Sequence, residues 1–548
     1  MNGPLRPPSD DRGTDRTLSM GIVPAFFYRM LVLVADGLSW PWRRITGKEW
    51  SWRATLRPGS VERRCGLAWL ALVFAVWGWV DVRPRARVEI ERPWEHQTDL
   101  TCYTEAGAAF FDGRPPYEVV NHRGWRYLYP PLLALLVAPL HALEPQDQGL
   151  IWFALSVVVA WGCMREAERL AVRCLAPCET QGERRVLLPV IAVAALLVAL
   201  LPTLNCLQRG QVGVLKLYFL LLGFRLVCDA KAWPKATAGG VALAFAVTLK
   251  LTPLLPAAYL VGLLVAQAWY HPAERFTRVR ACGAAAGISF GLLLFFFAVP
   301  SVLVGWEANL RHLDSWKREV LFRAGDTGHD SFAGNPHTLR NQSLSNAVYR
   351  LGNWTVHQFA GGPDDRRLDD FGYTGATPMD VAEVGRALGS TRLAILALLA
   401  TFGVRMGRRC DRTGMAAGFG LACVATLVIS PVARAHYFML WLPAVIVVPI
   451  WLWRHERRRA ALTLAATPAI LTLLHYLALP TMGRLGVLGF GTTFWFLATI
   501  SCMMATNEKP TPVLQPATLD EQILSLGHSH SVLVAAAAAS SPSRAAIL

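Results

Sequence analysis

The sequence predicts an all-α polytopic membrane protein. Of its 548 residues, 53% are hydrophobic and 17% are charged, whereas soluble globular proteins carry about 25% charged residues. Long apolar runs alternate with short Arg-rich connectors, which is typical of helices that cross a bilayer in series. A β-barrel would instead show strands of roughly ten residues that alternate in hydropathy.

The net charge of +16 does not indicate a nucleic-acid partner. The basic residues lie in the connectors that flank apolar runs, where the positive-inside rule expects them. Eleven cysteines are scattered, mostly inside apolar runs, so they predict no disulfide framework. The sequence shows no cluster of metal ligands either, and it leaves metal dependence open.

Three segments are expected along the chain. Residues 1–62 form a cytoplasmic N-terminal segment, in which an apolar stretch at 21–40 is interrupted by Arg29 and Asp36 and predicts an interfacial helix. Residues 63–504 form the transmembrane domain. Residues 505–548 are rich in Pro and then in Ala, which predicts a disordered cytoplasmic tail.

The transmembrane domain contains 13 apolar runs, several of them shorter than the roughly 20 residues of a full span. They lie near residues 65–81, 131–145, 148–164, 186–203, 213–228, 238–253, 254–270, 281–303, 391–406, 414–430, 436–453, 460–479 and 485–503. The Arg-rich connectors predict a protein of the plasma or inner membrane with both termini inside and loops 83–128 and 304–390 outside.

One run exceeds what this orientation allows. Loop 83–128 is predicted outside and the Arg-rich loop 165–185 inside, yet two runs, 131–145 and 148–164, separate them. Either that hairpin does not cross twice or the loop breaks the charge rule. We therefore expect about 12 crossings, within a range of 11 to 13.

Asp99 is the leading candidate for chemistry. It opens a short amphipathic segment in the first outer loop, ahead of a Tyr129-Pro130-Pro131 corner that begins the next helix. A carboxylate at a membrane surface suits a general base that acts on a lipid-linked substrate. The structural alternative is that Asp99 caps the helix that follows and Gly113 ends it.

Four further polar clusters interrupt the apolar pattern on the same predicted side of the membrane. Polar side chains at membrane depth are costly and usually line a cavity or a pathway, although ordinary loops, a snorkelling Lys and glycosylation acceptors are the alternatives. The clusters contain Asn205, Gln208, Arg209, Gly210 and Gln211; Lys250; Asn341, Gln342 and Arg350; and Arg434 with His436. An acid with several cations and amides suits sugar transfer from a lipid phosphate.

Taken in order, these motifs resemble the polyprenyl-phosphate-dependent mannosyltransferases of glycosyltransferase family 87, which have the GT-C fold. The resemblance runs from about Asp99 to about residue 450. It is carried by Asp99, Gly113 to Tyr117, Tyr129-Pro130-Pro131, Gly210-Gln211-Val212, Lys250 to Pro253, Asn341 to Leu344, and Ser430-Pro431 ahead of His436. Gly213, Arg434 and Tyr437 depart from the family pattern, so the donor sugar stays open between mannose and arabinose.

The resemblance implies a GT-C-like bundle of about 12 helices whose outer loops carry the site. It implies an inverting hexosyltransferase, with Asp99 as general base, that moves a sugar from a polyprenyl-phosphate donor to an extracytoplasmic glycolipid or glycan, and mannose is the expected sugar. No cofactor beyond this lipid-linked donor is expected, and the partners are membrane lipids, donor and acceptor. The expected substrate-binding residues are Tyr117, Tyr129, Arg209, Gln211, Lys250, Asn341, Gln342, Arg350, Arg434 and His436.

The main alternative function is a transporter or flippase of lipid-linked sugars. Such proteins often show repeated halves and broken helices near the middle of the membrane. This sequence shows no internal repeat, and its polar residues gather at one predicted surface. A structural assembly factor would leave the Asp99 loop without a role.

Overall fold

A computed structural model describes residues 61–175, 181–321, 339–360 and 381–506. All regular elements in these ranges are helical, and two isolated bridges, Val120 with Arg126 and Asn341 with Arg434, are the only β-type pairings within them. The predicted interfacial helix at 21–40, residues 322–338 and 361–380 of the second outer loop, and the tail after residue 506 lie outside the described residues.

The helices are numbered here in chain order. They are α1 Val61–Trp77, α2 Leu100–Phe111, α3 Pro131–Val137, α4 Pro145–Leu175, α5 Gln181–Gln208, α6 Gly213–Cys228, α7 Trp233–Leu249, α8 Leu254–Tyr270, α9 Arg275–Leu293, α10 Trp306–Trp316, α11 Leu344–Ala360, α12 Val381–Ala387, α13 Gly389–Arg409, α14 Arg412–Ile429, α15 Leu442–Arg454, α16 Arg458–Leu477, α17 Leu479–Arg484 and α18 Val487–Met504. Helices α1, α3 and α9 continue through π or 3-10 turns to Arg85, Ala142 and Val304.

Within the described ranges, nine helices are long and apolar enough to cross a bilayer, which makes this a multi-pass membrane protein. They are α1, α4, α5, α9, α13, α14, α15, α16 and α18, and each coincides with an apolar run predicted from the sequence. Helices α6, α7 and α8 have 16 or 17 residues. At 1.5 Å per residue they reach about 25 Å, which is short of the roughly 30 Å hydrocarbon core.

The region after the first outer loop differs from its predicted layout. The run predicted at 131–145 forms a helix that ends at Ala142 and is too short for a full crossing, at about 18 Å. Helix α4 is instead 31 residues long and continues to Leu175, and α5 begins at Gln181, so all of the described part of the predicted loop 165–185 is helical. These lengths favour the alternative in which the hairpin crosses the membrane once.

The centre of the bundle is formed by α14 and α15. In these two spans 89% and 94% of the residues are buried, against 11% in α1 and 17% in α9, which therefore lie at the periphery. The peripheral α9 nevertheless packs closely on α7, because a side chain at Gly287 would lie 2.2 Å from the carbonyl oxygen of Thr237. Small residues at such contacts let membrane helices approach, and here they fix the position of α7, whose far end leads to Lys250.

Candidate functional site

The Asp99 carboxylate points away from the helix that it precedes. Asp99 occupies the N-terminal end of α2 but makes no capping hydrogen bond. The backbone N–H of Leu100 donates to Thr98 Oγ1 instead, at 3.3 Å. The geometry therefore gives no support to the capping role, whereas Gly113, with φ +71°, follows the end of α2 as the sequence predicts.

Arg209 and Gln211, in the segment after α5, hold this carboxylate. Arg209 Nη2 lies 3.1 Å from Asp99 Oδ1, Arg209 Nε lies 3.4 Å from Oδ2, and Gln211 Nε2 also donates to Oδ2. The guanidinium lies 5.2 Å from the centre of the Trp125 ring, which gives it a second partner. Asp99 is only 6% exposed, so it is held in a largely dry setting.

Gly210 allows the segment after α5 to contact the segment that precedes α2. The backbone N–H of Asp99 donates to the carbonyl oxygen of Arg209 at 2.8 Å. Gly210 has φ +66°, and a Cβ there would lie 2.8 Å from Thr98 Oγ1 and 3.0 Å from Leu100 Cβ. Glycine tolerates both the positive φ and the close approach, which accounts for the Gly-Gln pair that the sequence places here.

Two tyrosines connect Gln211 to Lys250. The hydroxyls of Tyr103 and Tyr129 donate to Gln211 Oε1 at 3.3 and 3.5 Å. Lys250 Nζ donates to the Tyr129 hydroxyl at 2.9 Å and to the Tyr437 hydroxyl at 2.5 Å. Burial raises the pKa of Tyr103 and of Tyr129 well above its usual value, so both phenols stay protonated and remain hydrogen-bond donors.

At the Lys250 end of this series of hydrogen bonds, the cationic side chains have no carboxylate partner among the described residues. Lys250 Nζ lies 4.5 Å and 3.9 Å from the ring centres of Tyr129 and Tyr437. The guanidinium of Arg434 has no hydrogen bond or ion pair in the described part of the chain, and His436 Nε2 is buried without a partner. A site with surplus cations and an unused imidazole nitrogen is suited to an anion.

Lys216 is a member of this cluster that the sequence reasoning missed. It lies one turn inside α6, is completely buried, and donates to Thr252 Oγ1 at 2.8 Å. Its ammonium lies 4.9 Å from the centre of the Tyr437 ring, on which Lys250 also packs. The signal available was a Lys inside an apolar run close to the Gly210-Gln211 motif.

Three of the predicted substrate-binding residues make contacts with backbone groups next to the cluster. They are Asn341, Gln342 and Arg350. Asn341 Oδ1 accepts from the N–H of Ala433 at 3.0 Å, and the N–H of Gln342 donates to the carbonyl oxygen of Ala433 at 2.8 Å. Arg350 donates to the carbonyl oxygens of Asn341 and Gly483, at 2.7 and 3.1 Å. The contacts made by these side chains fix the segment that presents Arg434 and His436.

Tyr117 also lies behind the cluster, and its hydroxyl donates to the carbonyl oxygen of Tyr129 at 3.2 Å. Its ring stacks on that of Tyr127, with centres 5.7 Å apart.

The Gln208 side chain, from the predicted polar cluster, donates a hydrogen bond to Asp81 at 2.7 Å. Among the described residues, no three His, Cys, Asp or Glu side chains form a group that could hold a metal ion.

Comparison with known proteins identifies one curated relative of known activity. The chain is 25% identical, over 406 residues, to the polyprenol-phosphate-mannose-dependent alpha-(1-2)-phosphatidylinositol mannoside mannosyltransferase of Mycolicibacterium smegmatis (strain ATCC 700084 / mc(2)155). The aligned part covers 72% of this chain and 77% of the relative. No solved structure was found to match the chain.

A family model gives the broader assignment. The model described as glycosyltransferase family 87 matches residues 127–431, a range that contains Tyr129, Arg209, Gln211, Lys216 and Lys250. Asp99 precedes the matched range, and Arg434 and His436 follow it. Because the match covers more than half of the sequence, and because it agrees with the order of the motifs, this chain belongs to glycosyltransferase family 87.

Proposed function

We propose that this protein is a membrane mannosyltransferase that takes its sugar from a polyprenyl-phosphate donor and uses Asp99 as general base. The observation that carries the proposal is the polar chain from Asp99 through Gln211 and Tyr129 to Lys250. One end of this chain offers a proton acceptor, and the other end offers cations for a phosphate. These are the two groups that sugar transfer from a lipid phosphate requires.

In the proposed reaction, the acceptor hydroxyl oxygen attacks the anomeric carbon of the donor sugar. The bond between that carbon and the phosphate oxygen breaks, and its electron pair leaves with the lipid phosphate. The hydroxyl proton passes to the Asp99 carboxylate. Arg209 and Gln211 position the carboxylate, while Lys250 and Arg434 face the leaving phosphate and His436 Nε2 is available for a hydrogen bond.

The number of carboxylates near the site supports inversion at the anomeric carbon. Retaining glycosyl transfer through a covalent intermediate needs a second carboxylate as nucleophile. In the described part of the chain, Asp99 is the one carboxylate in hydrogen-bond contact with Arg209, Gln211, Lys216 or Lys250. We therefore propose a single displacement.

The acceptor is proposed only by class. The printed name of the mycobacterial relative gives a phosphatidylinositol mannoside as its acceptor. For this chain we propose an acceptor of the same broad class, a membrane glycolipid or glycan. Its hydroxyl group would reach the site from the outer face of the membrane.

We further propose 12 crossings, which are the nine long spans together with α6, α7 and α8. The Arg-rich connectors then place Asp99, loop 304–390 and His436 on the extracytoplasmic side. Single cysteines introduced at residues 122, 330 and 456 of a cysteine-free protein should label from outside, outside and inside. Labelling of residues 122 and 456 from the same side would reject this orientation.

The function is tested by incubating the purified full chain with polyprenyl-phosphate-mannose and a membrane lipid extract. We expect a new mannosylated glycolipid and release of polyprenyl phosphate. Movement of intact donor across proteoliposomes without any transfer product would instead favour the flippase alternative, and the absence of both would reject the proposal.

A further inference from the structure

The cluster at Tyr437 carries more positive charge than the lipid phosphate of a sugar donor needs. Four cations, Lys216, Lys250, Arg209 and Arg434, all act electrostatically on the His436 ring, which lies next to Tyr437. The carboxylate in contact with this set is Asp99, which pairs with Arg209. When all four are protonated, they carry four positive charges against the one negative charge of Asp99.

Lys216 is the most deeply buried cation of the set. Its side chain is completely buried, and its described hydrogen bond goes to the neutral hydroxyl of Thr252. A neutral amide would make that hydrogen bond without the cost of burying an ammonium group close to a second one on Lys250. A buried cation is expected to have an anionic partner, and a bound anion would supply one here.

The two lipid phosphates of the proposed reaction differ in charge. The sugar donor is a phosphodiester and carries one negative charge. The product is a phosphate monoester, which carries about 1.5 to 2 negative charges at pH 7, because its second pKa lies near 6. Surplus cations in a partly dry site therefore interact more strongly with the product than with the donor.

We propose that Lys216, together with Lys250, makes this site bind a lipid phosphate monoester more tightly than a phosphodiester. The proposal deepens the proposed function and rests on it. The same preference stabilises the charge that develops on the phosphate as the sugar leaves, which is the condition for lowering the barrier rather than merely binding substrate. It also means that released polyprenyl phosphate inhibits the enzyme.

The test measures the binding of two soluble probes, farnesyl phosphate and its methyl ester, to the purified full chain in nanodiscs. Two variants separate the charge of Lys216 from its hydrogen bond. Lys216→Gln removes the charge and keeps a donor for Thr252, whereas Thr252→Val removes the hydrogen-bond acceptor and keeps the charge. Lys231→Gln, at an exposed lysine between α6 and α7, is the matched control.

The wild-type protein should prefer the monoester by about tenfold or more, since the extra charge lies in a partly dry site. Lys216→Gln should bring the two affinities close together, whereas Thr252→Val and Lys231→Gln should keep the preference. Equal affinities in the wild type, an unchanged preference in Lys216→Gln, or an equal loss in Thr252→Val would each overturn the proposal.

Removal of a buried lysine can impair folding, so Lys216→Met and Lys216→Arg are measured alongside. The Arg variant should keep the preference and the Met variant should lose it; equal behaviour of this pair would contradict a role for the charge. No sugar or acceptor is present in this experiment. A lost preference in the neutral variants together with an inactive wild type would therefore reject the transferase and not the phosphate site.

Discussion

Helix α6 carries a basic residue near each end, and the two differ in whether they have a carboxylate partner among the described residues. Near its C-terminal end, Arg225 pairs with the buried carboxylate of Glu166 through contacts of 2.5 and 3.2 Å. Near its N-terminal end, about 13 Å away along the helix, Lys216 has no carboxylate partner among the described residues. The basic residue at one end of α6 is paired within the protein, while we propose that Lys216 at the other end is available to a ligand.

The end of the bundle that contains the Arg225–Glu166 pair has further contacts between an arginine and a carboxylate. Arg173 contacts Asp229 at 2.6 Å, and Arg454 contacts Asp411 at 3.8 Å. Buried ion pairs often contribute little net stability, yet removal of one partner is costly because it leaves the other charge unpaired. The comparison therefore predicts changes in stability at the paired end and changes in activity at the Lys216 end.

Removal of the Glu166 charge should produce the largest change in stability. Its side chain is 3% exposed and that of Arg225 is 23% exposed, so Glu166→Gln should lower the free energy of unfolding by about 3 kcal/mol, the lower end of the range for a broken buried pair. Unfolding in an SDS titration measures this change. Glu168→Gln, on the same helix with a side chain that is 63% exposed, should change stability by less than about 1 kcal/mol.

Turnover per folded molecule of Glu166→Gln should match the wild type, because the described contacts of Glu166 are with Arg169 and Arg225 and not with Asp99 or its partners. A large loss of turnover with unchanged stability would break the comparison, since it would place a functional charge at the paired end.

Lys250→Met should lower activity and leave stability nearly unchanged, which is the opposite of the result expected for Glu166→Gln. Loss of a charged hydrogen bond to phosphate is worth about 1.5–3 kcal/mol, which corresponds to roughly a tenfold to hundredfold loss in kcat/KM for the donor. Stability should change little or rise, because an uncompensated buried charge is removed. Steady-state kinetics with varied polyprenyl-phosphate-mannose measure the effect, and Lys235→Met, at an exposed lysine near the other end of α7, is the control.

Arg350→Gln should give a smaller and mixed effect. Its guanidinium holds the carbonyl oxygens of Asn341 and Gly483, so its loss should cost about 1–3 kcal/mol of stability and lower turnover through displacement of the segment behind Arg434. A variant that kept its stability but required much more donor would instead place Arg350 in direct contact with the phosphate.

Nine of the 13 apolar runs predicted from the sequence coincide with described helices that are long and apolar enough to cross a membrane, because apolar length largely defines such a helix. The sequence also predicted family membership, which the family match confirms, since the motifs keep their order along the chain. It overestimated the span at 131–145, because hydropathy alone does not indicate where a 3-10 turn ends a short helix.

The composition of the site was harder to predict. Asp99, Arg209, Gln211 and Lys250 were expected at one face, and they are brought together there. Lys216 and Tyr103 were missed because each sits inside a helix, and only the rotation of that helix decides whether a side chain faces the site. Arg350 was expected at the phosphate; the partners described for it include the backbone carbonyls of Asn341 and Gly483, which carry no signal in a sequence.

The measurement that tests the account most directly is transfer by Asp99→Asn. Asn keeps the size of the side chain, retains an oxygen that accepts from Arg209, and caps a helix about as well as Asp, but it does not take up the acceptor proton. The variant should lose some stability, because Arg209 loses its partner charge. It should still fold, bind farnesyl phosphate like the wild type, and lose about a hundredfold or more in transfer rate per folded molecule. A well-folded Asp99→Asn protein with near-normal transfer would contradict the central claim.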